Sequence, residues 1–196
     1  GAEEPPPDAP VFSRAGEVYE LGPHRLVCGD NRNVAVLSLA LDVKPGAVVT
    51  DPPYGIDASK MTMGAGESSK RRADRLSAVD AWDGSAPDVR WLLDVAPLVC
   101  VWGGNYLAAT LPVSDDWLVW HKKNDDRSFA EAELAWTNFG RRVRLLQHHW
   151  SGEKKLHITQ KPLPVISWSL SFLPEAAVVF DPFGGSCTTL IACAQS

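Results

Sequence analysis

The chain contains no C-x-x-C pair and no apolar run long enough to cross a bilayer. Its four cysteines, Cys28, Cys100, Cys187 and Cys193, lie far apart, with no histidines at zinc-ligand spacing beside them. This argues against a zinc module and a disulfide framework and points to reduced thiols. With no signal-type leader and no membrane span, the expectation is a soluble, cytoplasmic protein without a membrane partner. An excess of positive charge is also lacking. The 19 Lys and Arg against 24 Asp and Glu leave a net charge of −5, which argues against tight nonspecific attachment to a polyanion, although local charge can differ.

What is present suits one domain with a sizeable core: 196 residues, 45% of them apolar and 22% charged. Residues 1–16 open with a Glu- and Pro-rich stretch without periodicity and read as a leading linker, and 17–196 as a single α/β domain. Within it, Val18 to Leu21 and His24 to Cys28 read as short strands around a Gly-Pro turn. Asn31 or Asn33 caps a helix through Val34, Leu37, Leu39 and Leu41, which Lys44-Pro45-Gly46 stops. The order strand, helix, strand then predicts a parallel β-α-β unit with Asp30 and Asp51 at one sheet edge. Further strands are expected at Pro97 to Trp102, Trp117 to Trp120 and Ala176 to Phe180, with Glu133 to Trp136 and Val143 to Leu146 paired across a turn. Helices are expected at Val89 to Val95 and Leu163 to Leu173.

The apolar, β-branched run Gly46-Ala47-Val48-Val49-Thr50 reads as a buried strand broken by Asp51-Pro52-Pro53-Tyr54-Gly55. A carboxylate, a rigid turn and an aromatic ring therefore share a strand's C-terminal end, where open α/β sheets bind ligands. Asp51 and the carbonyl beside Pro52 suit the donors of an exocyclic amine, and Tyr54 suits the ring that carries it. Taken alone, this stretch is more simply a strand followed by a proline turn. Between Phe180 and a helix opened by Thr188 and Thr189 lies Asp181-Pro182-Phe183-Gly184-Gly185-Ser186, a turn whose glycines let backbone approach a ligand closely. Residues 56–87 lose all pattern and are expected to be a mobile loop. Its basic cluster, Lys70, Arg71, Arg72 and Arg75, is either a solvated face or a contact for a polyanion.

Taken together, D-P-P-Y-G at 51–55, H-I-T-Q-K-P at 157–162 and D-P-F-G-G-S-C-T-T at 181–189 resemble the DNA amino-methyltransferases that use S-adenosylmethionine. The order, catalytic motif before cofactor loop, is similar to the circularly permuted β class, and the resemblance runs from about Leu21 to the last residue. It implies a Rossmann-like, mostly parallel sheet with helices on both faces. It also implies that Asp51, Pro52, Pro53 and Tyr54 hold a flipped-out base of double-stranded DNA, adenine N6 before cytosine N4. The cofactor would lie at Asp181, Phe183, Gly184, Gly185, Ser186 and Thr188, with Asp30 near its adenine and Lys161 and Pro162 beside its methionine end, and no metal is implied. Such enzymes belong to bacterial or phage restriction-modification systems.

Relatives continue into a further strand after the cofactor-loop helix, so the resemblance implies a chain truncated at its C-terminus. The gap would be filled by a longer native chain, by Val18 to Leu21, or by a second copy in a homodimer. Cys187 stands where the family has a second glycine, so a positive φ there would cost on the order of 1 kcal/mol. A catalytically inactive binding module with the same fold is the reading from another class.

Overall fold

The computed structural model describes residues 13–56, 85–124, 130–150, 160–175 and 177–196. The basic cluster at 70–75 and the first three residues of H-I-T-Q-K-P lie outside them. Eight strands and four helices occur among the described residues. In chain order they are β1 (Val18–Leu21), β2 (His24–Val27), α1 (Val34–Ala40), β3 (Ala47–Thr50), α2 (Leu92–Val95) and β4 (Leu98–Trp102). There follow β5 (Trp117–His121), β6 (Ala132–Thr137), β7 (Val143–Gln147), α3 (Leu163–Leu170), β8 (Val179–Phe180) and α4 (Thr188–Gln195).

Six strands form one sheet in the order β7-β5-β6-β4-β3-β8. The pairs β8–β3, β3–β4 and β5–β7 are parallel, and β6 alone runs against its neighbours. This is the expected mostly parallel α/β sheet. Alternation along its strands explains why helices cover both faces. On one face Val48, Val99 and Val101 pack with Leu92 of α2 and with Leu37 and Ala40 of α1. On the other, Val49, Cys100 and Trp102 pack with Val165 and Ile166 of α3 and Ala192 of α4. The central strands β3 and β4 are apolar on both sides because both sides are covered. All four cysteines are free thiols, as the spacing predicted.

Two expectations about pairing are corrected. First, β2 is not a sheet strand in a β-α-β unit: it pairs antiparallel with β1 as a separate hairpin, Val18 opposite Val27 and Leu21 opposite His24. Gly22, at φ 65°, makes the turn, and Gly16 N–H donates to the Cys28 carbonyl at 2.7 Å to extend the ladder. The short turn keeps the loop-closure cost of this pairing low. It follows that Val18 to Leu21 fills no gap in the large sheet.

Secondly, β6 and β7 do not pair with each other; β5 lies between them. The cause is Asp116, buried just ahead of β5, whose carboxylate accepts the backbone N–H groups of Gly140 and Arg142. The chain leaving β6 is thereby held across the start of β5 instead of folding back, and Trp117 N–H donates to the Arg142 carbonyl.

Candidate active site

The strand β3 is wholly buried, and its ladder ends where Pro52 and Pro53 supply no N–H. Beyond them the chain turns so that the Tyr54 hydroxyl donates back to Asp51 Oδ1 at 2.6 Å. The Tyr54 ring fits against Gly103, just past the end of β4. A Cβ on that glycine would lie 2.0 Å from Tyr54 Cε1, and its φ is 70°, so close approach and backbone both require glycine. Tyr106 stacks on Tyr54 with ring centroids 5.1 Å apart and planes 16° from parallel.

Lys161, two residues before α3, reaches into this corner. Its Nζ donates to Asp51 Oδ1 and Oδ2 at 2.8 and 2.9 Å and to the Tyr54 hydroxyl at 2.7 Å. It also stands 2.8 Å from Glu133 Oε2, and the other Glu133 oxygen takes Lys122 Nζ at 2.6 Å. Alternation explains the convergence. Asp51 continues the face of Val49, Glu133 that of Ala135, and Lys122 that of Trp120, all on the side covered by α3. The chain Lys122, Glu133, Lys161, Asp51 thus balances two ammonium groups against two carboxylates.

The electrostatics follow from burial and pairing. Burial lowers the proton affinity of Lys161, but the charges of Asp51 and Glu133 outweigh it, so its value is raised and it stays an ammonium. Burial also pushes the Glu133 carboxyl up, yet Lys161 and Lys122 together hold it at about 2. For Asp51, removal from water dominates and raises its value, with Lys161 opposing and the charge of Glu133 adding. Tyr54 is raised well above the ordinary phenol range, first by burial and then by Asp51, and remains a hydroxyl.

The glycine turn after β8 lies beside this cluster. β3 and β8 are neighbours, and Thr50 donates its hydroxyl to Asp181 Oδ1 at 2.6 Å, while Phe183 N–H donates to the same oxygen at 3.0 Å. Burial raises the Asp181 carboxyl against these hydrogen bonds. At Gly184 an added Cβ would meet nothing within 4 Å, and Gly185 turns at φ 50°. Ser186 and Thr188 share a hydrogen bond of 3.1 Å between their hydroxyls. Asp30 reaches this region through its neighbour: Asn31 Nδ2 donates to the Pro182 carbonyl at 2.9 Å, while Asn33 caps α1. The Asp30 carboxylate is held at about 2, first by the side chain of Arg32 and then by its backbone N–H.

Of the residues singled out in the sequence, Asp51, Tyr54 and Lys161 touch one another directly, and Pro162 is buried at the start of α3. Asp181, Phe183, Gly184, Gly185, Ser186 and Thr188 form the adjoining turn and helix start. Lys161 here engages Asp51 and Glu133. Sequence reasoning missed Thr50, Tyr106, Lys122 and Glu133. The available signal was Glu133 itself, a lone carboxylate inside an otherwise apolar strand.

The fold and site define an α/β protein with a carboxylate, an aromatic ring and an ammonium group gathered at the C-terminal end of a buried strand, next to a glycine turn. No family model matches the chain, and no curated protein matches it. Among solved structures, the crystal structure of M1.HpyAVI is similar to it at 19% sequence identity and a TM-score of 0.45, with 85% of this chain and 84% of that chain covered.

Proposed function

We propose that the protein transfers a methyl group from S-adenosylmethionine to the exocyclic amine of a flipped-out DNA base, adenine N6 first and cytosine N4 second. The single observation that carries this reading is the placement of Asp51 and Tyr54 beside the Asp181 to Gly185 turn, joined through the Thr50–Asp181 hydrogen bond. Asp51 Oδ2 accepts a hydrogen from the amine, which keeps electron density on the nitrogen and points its lone pair away from the carboxylate. The raised proton affinity of Asp51 suits it to hold the proton that the amine gives up. Pro52 and Pro53 offer carbonyls and no N–H, so the strand end favours donors over acceptors. Tyr54 provides the flat surface; base stacking on an aromatic ring contributes roughly 1–3 kcal/mol toward the unstacking cost of extraction.

The turn after β8 fits the cofactor. Gly184 leaves open space where a side chain would stand, Gly185 takes the left-handed turn, and Ser186, Thr188 and the half-exposed Asp30 carboxylate offer hydrogen-bonding groups around it. Asp181, Phe183 and Pro162 would complete its surroundings. S-adenosylmethionine supplies an electrophilic methyl on a sulfonium. The basic cluster Lys70, Arg71, Arg72 and Arg75 is assigned to the DNA backbone.

The test is calorimetry with S-adenosylmethionine, followed by transfer of labelled methyl to duplex DNA of mixed sequence and analysis of the nucleosides. Labelled N6-methyladenine, lost in Asp51→Ala, supports the reading; absence of both cofactor binding and label overturns it. A second reading, a binding module without turnover, is favoured by one observation, that Lys161 engages both oxygens of Asp51. It is distinguished by DNA binding without label that Asp51→Ala leaves unchanged.

A further inference from the structure

Lys161 has more acceptors than hydrogens. An ammonium carries three N–H donors, and four oxygens stand within 2.9 Å of Nζ: both of Asp51, the Tyr54 hydroxyl and Glu133 Oε2. The hydrogen bonds of good angle go to Asp51 and Tyr54. Glu133 Oε2 is buried, 2.8 Å away, and makes no hydrogen bond of acceptable angle among the described residues. That carboxylate oxygen is at ion-pair distance from the ammonium with its hydrogen-bonding capacity unused.

The occupancy of Asp51 shows why a second acceptor for the ammonium matters. Oδ1 already accepts from Tyr54 and from Lys161, whereas Oδ2 accepts from Lys161 alone, so Oδ2 is the oxygen open to an incoming amine. The ammonium 2.9 Å from it competes for that position and weakens the carboxylate as an acceptor. Lys161 cannot simply leave for water, because its side chain is only 5% exposed and an unpaired buried charge is strongly unfavourable. A small rotation onto Glu133 Oε2 keeps the charge paired throughout. Lys122 secures the other Glu133 oxygen and so fixes the carboxylate in its receiving orientation.

We propose that Glu133 is a positioning residue that takes over Lys161 when Asp51 turns Oδ2 to the substrate amine, so that the ammonium passes between two carboxylates within the buried site. This rests on the amino-methyltransferase reading. It concerns a neutral amine as substrate: a cationic amine would compete with Lys161 for Asp51, whereas a neutral donor needs the lysine to be kept close but off the accepting oxygen.

The test compares wild type, Glu133→Gln and Glu133→Asp by steady-state methyl transfer to DNA, with thermal denaturation in parallel. Glu133→Gln is expected to lower kcat/KM for DNA by about tenfold or more while KM for S-adenosylmethionine stays within about twofold, since the exchange accompanies entry of the amine and not binding of the cofactor. Glu133→Asp, which keeps the charge, is expected to recover part of the loss. A Glu133→Gln protein with wild-type kcat/KM for DNA overturns the exchange and leaves the methyltransferase reading standing. Equal losses in both variants, tracking a fall in melting temperature, also overturn it and reduce Glu133 to a structural residue. A wild-type protein that binds S-adenosylmethionine but transfers no methyl overturns the proposed function and the exchange with it.

Discussion

Thr50 and Asp181 are 131 positions apart in the chain and 2.6 Å apart in the fold. Their hydrogen bond joins the ends of β3 and β8, and with them the strand end that bears Asp51 to the glycine turn. Thr50→Val removes the hydroxyl while keeping the shape, leaving Asp181 Oδ1 with the Phe183 N–H. Stability is expected to fall by about 0.5–1.5 kcal/mol, the net contribution of one hydrogen bond where the acceptor keeps another donor. Urea denaturation measures the fall. Affinity for S-adenosylmethionine is expected to weaken with it, read by calorimetry.

Acidity acts on the two carboxylates of the site with opposite sign. Glu133 is held at about 2 against an ordinary 4.5: burial raises it, and Lys161 and Lys122 lower it further than burial raises it. A depressed carboxyl contributes stability that is present above its unfolded value and lost as pH falls through the folded one, here from 4.5 down to about 2. Asp51, raised by burial, contributes stability that is complete below its unfolded value and lost as pH rises through its folded one. The two oppose each other as pH falls, so the expected outcome is a difference: between about pH 4.5 and pH 2 the urea midpoint of wild type falls more steeply than that of Glu133→Gln. Parallel curves for the two proteins would contradict the assignment.

Cys187 caps α4 at φ 60° and ψ 28°, in the left-handed region, without a side-chain capping hydrogen bond. A non-glycine residue there costs about 1–2 kcal/mol. Glycine removes that strain but loses about 0.4–1 kcal/mol through its freer unfolded chain. Cys187→Gly is thus expected to gain up to about 1.5 kcal/mol, and the β-branched Cys187→Val to lose stability, both measured by urea denaturation.

The basic cluster makes a prediction about salt. With Lys70, Arg71, Arg72 and Arg75 replaced by Ala, the slope of log affinity for DNA against log salt is expected to flatten by up to about 0.9 for each phosphate no longer neutralised. Affinity for S-adenosylmethionine should not change. An unaltered slope would show the cluster to be a solvated face.

What the sequence made legible was local. The strand at β3 was evident from β-branched residues, its end from two prolines, and the turn after β8 from adjacent glycines, because each signal lies within a few residues. The pairing of Lys161 with Asp51 spans 110 positions, and neither residue carries a mark that names the other. The order β7-β5-β6 was hidden for a similar reason. It depends on Asp116, which looks like an ordinary loop acid until the chain from β6 crosses it and offers two N–H groups. Glu133 was the exception, marked by its apolar surroundings yet passed over as part of a strand.

The Tyr54 ring occupies the space that a side chain at Gly103 would fill. The two positions therefore share one volume, and bulk gained by either must be surrendered by the other. In a library randomised at both and selected for folded protein, the survivors should be correlated pairs, with glycine at 103 wherever 54 is aromatic, and residues that tolerate a positive φ, such as asparagine, at 103 only beside a small one at 54. An aromatic at 54 thus restricts position 103 by crowding, on top of the left-handed backbone that already favours glycine there.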